Sequence, residues 1–171
     1  EIDIEFNSGG RFVKIKDNGS GVSRDDLSKA LARHATSKIT NSDDLWDLSS
    51  FGFRGEALAT ISAVSRFQFL SRTKDNDSTY RINSEFGKVS DVEPIGGEQG
   101  STVIVEDLFE NVPARLKFLK SEAAEGTQIK NVVKALALAN EQVSFRVRQG
   151  SKLLHCWPSV EPKLQRVKQV L

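Results

Sequence analysis

Phe51-Gly52-Phe53-Arg54-Gly55-Glu56-Ala57-Leu58 decides how the rest of the chain is read. Two glycines stand three apart, directly before an apolar run at helical spacing: Ala57, Leu58, Ile61 and Val64. Glycine admits positive φ and lets another group come close to the backbone. A helix that starts there carries four unpaired N–H groups at its N-terminus, and with the helix dipole these favour an anion, most often a phosphate. The stretch therefore suits a phosphate cradle leading into a buried helix. It suits an ordinary glycine-rich turn equally well, since short glycine motifs recur without function.

Working outward, alternation dominates both sides of this point. Ile2, Ile4 and Phe6 alternate with Glu1, Asp3 and Glu5, and Arg11 to Lys16 alternates again after the Asn7-Ser8-Gly9-Gly10 turn, which predicts a hairpin. Ser23 with Asp26 three residues on predicts a helix start, and Leu27, Ala30, Leu31 and His34 continue it. Asn41-Ser42-Asp43-Asp44 caps a short helix through Leu48, and the helix behind the glycines is expected to run to about Ser65. From Arg66 to Asp107 an antiparallel meander is expected, with Phe67, Phe69, Tyr80, Ile82, Phe86 to Val92 and Val103 to Val105 as its apolar positions. Asn111 to Arg115 reads as a bend. A long amphipathic helix spans about Glu122 to Asn140, with Ile129, Val132, Val133, Leu136 and Ala137 on one side. Val143–Val147 and Leu153–Trp157 form a last hairpin, and Pro158 to Leu171 a linker and helix. Helices and antiparallel strands mixed in this way predict an α+β fold, a two-layer sandwich with helices on one face of the sheet.

A length of 171 residues fits one domain with a real core. The net charge of +1 gives no global signal for nucleic acid. The single cysteine, Cys156, excludes an internal disulfide and a Cys-rich zinc site, and a reducing compartment is the natural expectation. No apolar run is long enough to span a membrane, and no signal peptide is seen. The chain opens on a strand without Met, which suggests that something precedes it.

Asp17-Asn18-Gly19-Ser20-Gly21-Val22 sits between a strand and a helix. As a dinucleotide fingerprint it fails at the third glycine, where Arg24 stands. As a calcium loop it puts Gly19 and Gly21 at ligand positions. A carboxylate at a strand end, with glycines clearing space beside it, can accept from an exocyclic amine such as adenine N6, although an Asx turn alone would use the same residues. Gly100-Ser101-Thr102 opens a buried strand. Arg115, Lys117 and Lys120 interleave with Phe118 and Leu119 in the manner of a solvated helix face. His34, and the adjacent His155 and Cys156, lack the partners a metal site needs, and no spacing suggests a nucleophilic triad.

Together these motifs are far more specific than any one of them. Asp17–Val22, Ala32-Arg33-His34-Ala35-Thr36-Ser37-Lys38-Ile39, Gly52–Leu58 and Asp107-Leu108-Phe109-Glu110-Asn111-Val112-Pro113-Ala114-Arg115 closely resemble the N-terminal ATPase domain of the MutL family of DNA mismatch-repair proteins. That family belongs to the GHKL ATPases, with type II topoisomerase ATPase subunits, the ninety-kilodalton heat-shock chaperones and sensor histidine kinases. The resemblance covers essentially the whole chain, and the wording of Ala32–Lys38 looks bacterial.

The resemblance implies a GHKL (Bergerat) sandwich with a mixed, mostly antiparallel sheet. It implies ATP and Mg²⁺ as cofactors and assigns roles to matching residues. Asp17 would hold the adenine amine; Gly19, Gly21 and Val22 would line the pocket; Thr36, Ser37 and Lys38 would lie in a lid; Gly52, Phe53, Arg54, Gly55, Glu56, Ala57 and Leu58 would cradle the phosphates. Ser101 stands where the family usually has a Thr beside the adenine. The family's catalytic Glu and magnesium-binding Asn lie on a helix upstream of the first strand, and its phosphate-contacting Lys lies on a second subdomain, so none has a match in residues 1–171. Residues 1–157 are expected to be the nucleotide-binding subdomain and 158–171 a linker and helix toward that second subdomain. The resemblance further implies lid closure on ATP and N-terminal dimerisation, as a homodimer or a MutL-type heterodimer. It implies a mismatch-recognition partner of the MutS type, weak sequence-independent contact with DNA and no membrane. The compartment would be the cytoplasm, near the nucleoid, in a bacterium, and the nucleus in a eukaryote. A non-hydrolysing module of the same fold, binding DNA or a protein, is the alternative.

Overall fold

The computed structural model describes residues 1–32, 57–161 and 163–170. The expected His34 turn, the short helix through Leu48 and the segment holding Thr36–Lys38 and Gly52–Glu56 lie outside the described residues.

Alternating sequence becomes strand wherever one face can be buried. β1 (Ile2–Asn7) and β2 (Phe12–Asp17) pair antiparallel, with Ile4 opposite Ile15 and Phe6 opposite Val13. A one-turn 3-10 helix at Ser8–Gly10 joins them. β3 (Arg66–Arg72), β4 (Thr79–Glu85), β5 (Lys88–Val89), β6 (Glu93–Ile95), β7 (Gly100–Glu106), β8 (Phe145–Gln149) and β9 (Lys152–Trp157) complete the sheet. Among the described residues its order is β5-β4-β3-β7-β2-β1-β8-β9, with β6 also paired to β4. The expected meander is therefore incomplete. β3 and β4 form a hairpin, but β7 enters between β3 and β2, and β8 lies parallel to β1. Both pairings are long-range, so local alternation does not reveal them.

Five helices are described: α1 (Arg24–Ala30), α2 (Ala57–Ser62), the single turn α3 (Pro113–Leu116), α4 (Glu122–Ala139) and α5 (Lys163–Val170). Ser23 caps α1, its Oγ accepting from the Asp26 N–H at 3.2 Å. α2 ends at Ser62, short of the expected Ser65, because β3 begins at Arg66 and the Ser65 hydroxyl turns back to the Ile61 carbonyl at 2.7 Å.

The helices cover one face of the sheet in two separate patches. α4 and α5 close a core of Ile4, Phe6, Val133, Ala137, Phe145, Val147, Trp157 and Val170. α1 and α2 close a second core around Leu27, Leu31, Phe67, Phe69, Ile82 and Val105. Each fully buried Phe or Leu here contributes about 1.5–3 kcal/mol. The buried stripe of α4 runs through Gly126, Val133 and Ala137, not through the whole expected set. Val132 is 59% and Leu136 41% exposed, since a 100° step per residue rotates them off the line of Val133 and Ala137.

Arg166 fixes α5. It is 0% exposed, and its guanidinium donates to the carbonyls of Val143 (2.6 Å), Glu141 (2.9 Å) and Trp157 (3.2 Å). One side chain thereby ties the last helix to the end of β9 and to the turn before β8. Burial lowers the guanidinium pKa, and Glu141 opposes that shift.

Candidate functional site

Among the described residues, the sheet between the two cores is poorly covered. Ile15 sits mid-sheet between Ile4 and Val103, yet it is 41% exposed, whereas Ile4 is buried. The trough over Ile15 ends at a row whose chemistry changes abruptly. Across the strands, on the helix-covered face, that row runs Phe145, Ile2, Asp17, Ser101, Ser71, Tyr80. Three small polar side chains, Asp17, Ser101 and Ser71, thus stand between the apolar Phe145 and Ile2 on one side and the Tyr80 ring on the other, beside an apolar floor.

Asp17 ends β2. Its Oδ1 accepts the Gly19 N–H at 2.8 Å, forming an Asx turn, and among the described residues Oδ2 has no hydrogen-bond donor. Beyond the turn the backbone must pass very close to its neighbours. Gly21 has φ +73°, and a Cβ there would stand 2.1 Å from the Arg72 carbonyl oxygen. Gly100 has φ +114°, and a Cβ would stand 2.1 Å from the Asp17 carbonyl oxygen. Only glycine permits either approach.

Ser71 joins the pieces. Its Oγ accepts the Val22 N–H at 2.7 Å, donates to the Gly100 carbonyl at 3.0 Å and lies 3.0 Å from Ser101 Oγ. Gln99 Nε2 adds a bond to the Gly19 carbonyl at 3.1 Å. Asp17, Gly19, Gly21, Val22 and Ser101 are therefore brought together. Ala57 and Leu58 open α2, where Leu58 packs on the core under α1 and α2, and the other expected cradle residues lie outside the described ones. Sequence reasoning missed Ser71, Gln99 and Gly100 as parts of the site. The alternation Phe67, Phe69, Ser71 carried the signal, since it puts a serine on the face meant for apolar side chains.

On the opposite face of the sheet, a cavity of about 290 Å³ opens between Lys14, Lys16, Thr79 and the Gly96–Gly97 loop. It is strapped by a Lys16–Glu98 ion pair at 2.7 Å. Its lysines alternate with Ile15, so they point away from the trough. Lys16 holds the Glu98 carboxyl below its usual pKa, first through the hydrogen bond and then through charge. Among the described residues no three His, Cys, Asp or Glu side chains gather to hold a metal, and no helix is long and apolar enough to cross a membrane.

A mixed sheet covered by helices on one side is the architecture that this chain shares with nucleotide-binding ATPase domains. The chain belongs to the family of histidine kinase-, DNA gyrase B- and HSP90-like ATPases, whose model matches residues 1–105. Within that family it is similar to DNA mismatch repair protein MutL. It is 41% identical to MutL of Cellvibrio japonicus over 99% of this chain and 27% of that protein. It is 46% identical to MutL of Pseudomonas fluorescens over 90% of this chain and 24% of that one. Its fold matches the Aquifex aeolicus MutL ATPase domain complexed with ADP, with a TM-score of 0.76 and 27% identity over 99% of this chain and 60% of that one. The chain thus spans about a quarter of the length of the curated relatives it matches.

Proposed function

We propose that the chain is the nucleotide-binding part of a MutL-type mismatch-repair ATPase, and that the trough over Ile15 takes the adenine of ATP. The observation that carries this is Asp17 Oδ2, which has no donor among the described residues and lies on a strand position directly opposite Ser101 at the head of an apolar trough. A flat purine needs an apolar bed and a few placed polar groups at its edge. Asp17 accepts from the exocyclic amine, Ser101 flanks it, and Gly19, Gly21 and Val22 form the wall. The phosphates extend toward Ala57 and Leu58 at the start of α2, and the resemblance assigns Gly52–Glu56 to the same cradle. Mg²⁺, when bound, supplies charge neutralisation at those phosphates.

In the whole protein, ATP binding closes a lid containing Thr36, Ser37 and Lys38 and drives N-terminal dimerisation, homo- or heteromeric. That dimerisation couples recognition of a mismatch by a MutS-type partner to later repair steps, with weak, salt-sensitive contact to DNA. The site of action is the compartment that holds the DNA. Residues 1–157 form the nucleotide-binding subdomain, and 158–171 lead toward a second one. Residues 1–171 match neither the family's water-activating Glu nor its magnesium-binding Asn, so alone they would bind nucleotide without turning it over. Sedimentation of the full-length protein with a non-hydrolysable ATP analogue reads the dimerisation; a monomer at saturating analogue refutes it.

The direct test is Asp17→Asn in the full-length protein, with ATP binding followed by calorimetry. The amide loses the charge-assisted bond, worth about 1.5–3 kcal/mol, so affinity should fall by roughly ten- to a hundredfold. Unchanged affinity would remove Asp17 from the adenine site and the assignment with it.

A further inference from the structure

We infer that Ser71, which touches no ligand in this arrangement, makes the site selective for a 6-aminopurine over a 6-oxopurine by fixing which way the Ser101 hydroxyl points. The inference rests on the adenine site proposed above and adds to it the origin of base selection.

The number of protons on the two hydroxyls decides the orientation. Ser71 is 1% exposed, so its hydroxyl is bonded through the protein. A serine hydroxyl has one proton and two lone pairs. The Val22 N–H can only donate, and at 2.7 Å it takes one lone pair. The Gly100 carbonyl can only accept, and at 3.0 Å it takes the one proton. Ser101 Oγ, at 3.0 Å, is left facing the second lone pair and must donate to it. With its own proton spent on Ser71, Ser101 offers only lone pairs to a ligand. Its cross-strand neighbour Asp17 is an acceptor as well, with Oδ2 unshared among the described residues. The head of the trough therefore presents acceptors side by side. An amino group on the purine edge meets them with donors, whereas a carbonyl at the same place would set oxygen against oxygen.

Without Ser71 the constraint disappears. Ser101 could then turn its proton outward and donate to a carbonyl-bearing base. Ser71 is thus a positioning residue that acts through Ser101, and its effect appears in the ratio of affinities for two nucleotides, beyond any effect on binding in general.

The experiment compares ATP and GTP binding by calorimetry in the full-length protein and in its Ser71→Ala, Ser101→Ala and doubly substituted forms. The ATP-over-GTP ratio should fall about tenfold in Ser71→Ala, the worth of one hydrogen bond. The double variant should lose no more than Ser101→Ala alone, because Ser71 acts only through that hydroxyl. Equal weakening of both nucleotides by Ser71→Ala, with the ratio kept, would reduce Ser71 to a structural tie and overturn the inference. If Ser71→Ala does not fold, Ser101→Ala decides alone. It keeps the bonds from Ser71 to Val22 and Gly100, and an unchanged ratio there overturns the inference equally. Failure of the adenine site itself shows separately, as intact ATP affinity in Asp17→Asn.

Discussion

Replacing Gly21 by alanine should injure the site far more than the same change at Gly150, although both residues have positive φ. A non-glycine residue in the left-handed region costs about 1–2 kcal/mol. Gly150, at φ +55°, has nothing within 4 Å of an added Cβ, so Gly150→Ala meets that strain and little else. At Gly21 the added Cβ would stand 2.1 Å from the Arg72 carbonyl oxygen and 2.6 Å from its carbon, where real Cβ atoms keep at least 3.0 Å. Both atoms are β3 backbone, held in the middle of the sheet, so the 18–22 loop must retreat. Retreat stretches the 2.7 Å bond from the Val22 N–H to Ser71, worth about 0.5–1.5 kcal/mol, and carries the Asp17 turn with it. The total is roughly 1.5–3.5 kcal/mol. In a domain of this size that lowers Tm by about 2–4 °C per kcal/mol. Calorimetric melting of both variants, with ATP titrations on each, separates clash from strain. Gly21→Ala should melt below Gly150→Ala and also lose ATP affinity, while Gly150→Ala should keep it. Equal melting and equal ATP affinity in the two variants would refute the close-approach argument.

Arg166→Met should cost about 3–5 kcal/mol, because three carbonyls lose their shared donor inside the protein; urea unfolding checks this, and a loss below about 1 kcal/mol would show that water replaces the guanidinium. His155 stacks on Trp157 with ring centroids 4.7 Å apart, and burial, then Lys134 and Lys130, hold its pKa below the ordinary imidazole value. The unfolded chain therefore binds that proton more readily than the folded one. The stability tied to neutral His155 is complete above about pH 6.5 and is lost as pH falls through the lower folded value. His155→Phe should flatten this part of the Tm-against-pH curve, and an unchanged slope between about pH 7 and pH 5 would clear His155 of the effect.

Much of this fold was legible because its signals are local. The Ile2-Ile4-Phe6 alternation, the Ser23–Asp26 cap and the α4 span each depend on residues within one turn or one strand. What was not legible depends on distance along the chain. Nothing near Phe145 says that β8 will lie parallel to β1, and nothing near Val103 says that β7 will part β2 from β3. The site divides in the same way. Asp17 and its glycines announce themselves as a motif. Ser71 is an ordinary serine until β7 sets Ser101 opposite it, so its role appears only when three strands are laid side by side.

That same row shows why the polar residues there are not explained by folding. A domain seeking stability alone would fill the positions of Asp17, Ser101 and Ser71 with apolar side chains, as Phe145 and Ile2 fill the row on one side. Burying polar groups is costly unless they are bonded, and an apolar replacement of similar shape is often neutral or stabilising. Ser71 meets that requirement in full, with partners for its proton and its lone pairs. Asp17 is only partly buried; one of its oxygens is tied to Gly19 and the other, facing the trough, has no donor among the described residues. That carboxylate lies next to Ile15, which is equally out of place for the opposite reason: an apolar side chain mid-sheet and 41% exposed. On the proposed reading, a purine laid over Ile15 would bury that exposed apolar surface and bring an amine to the free Asp17 oxygen.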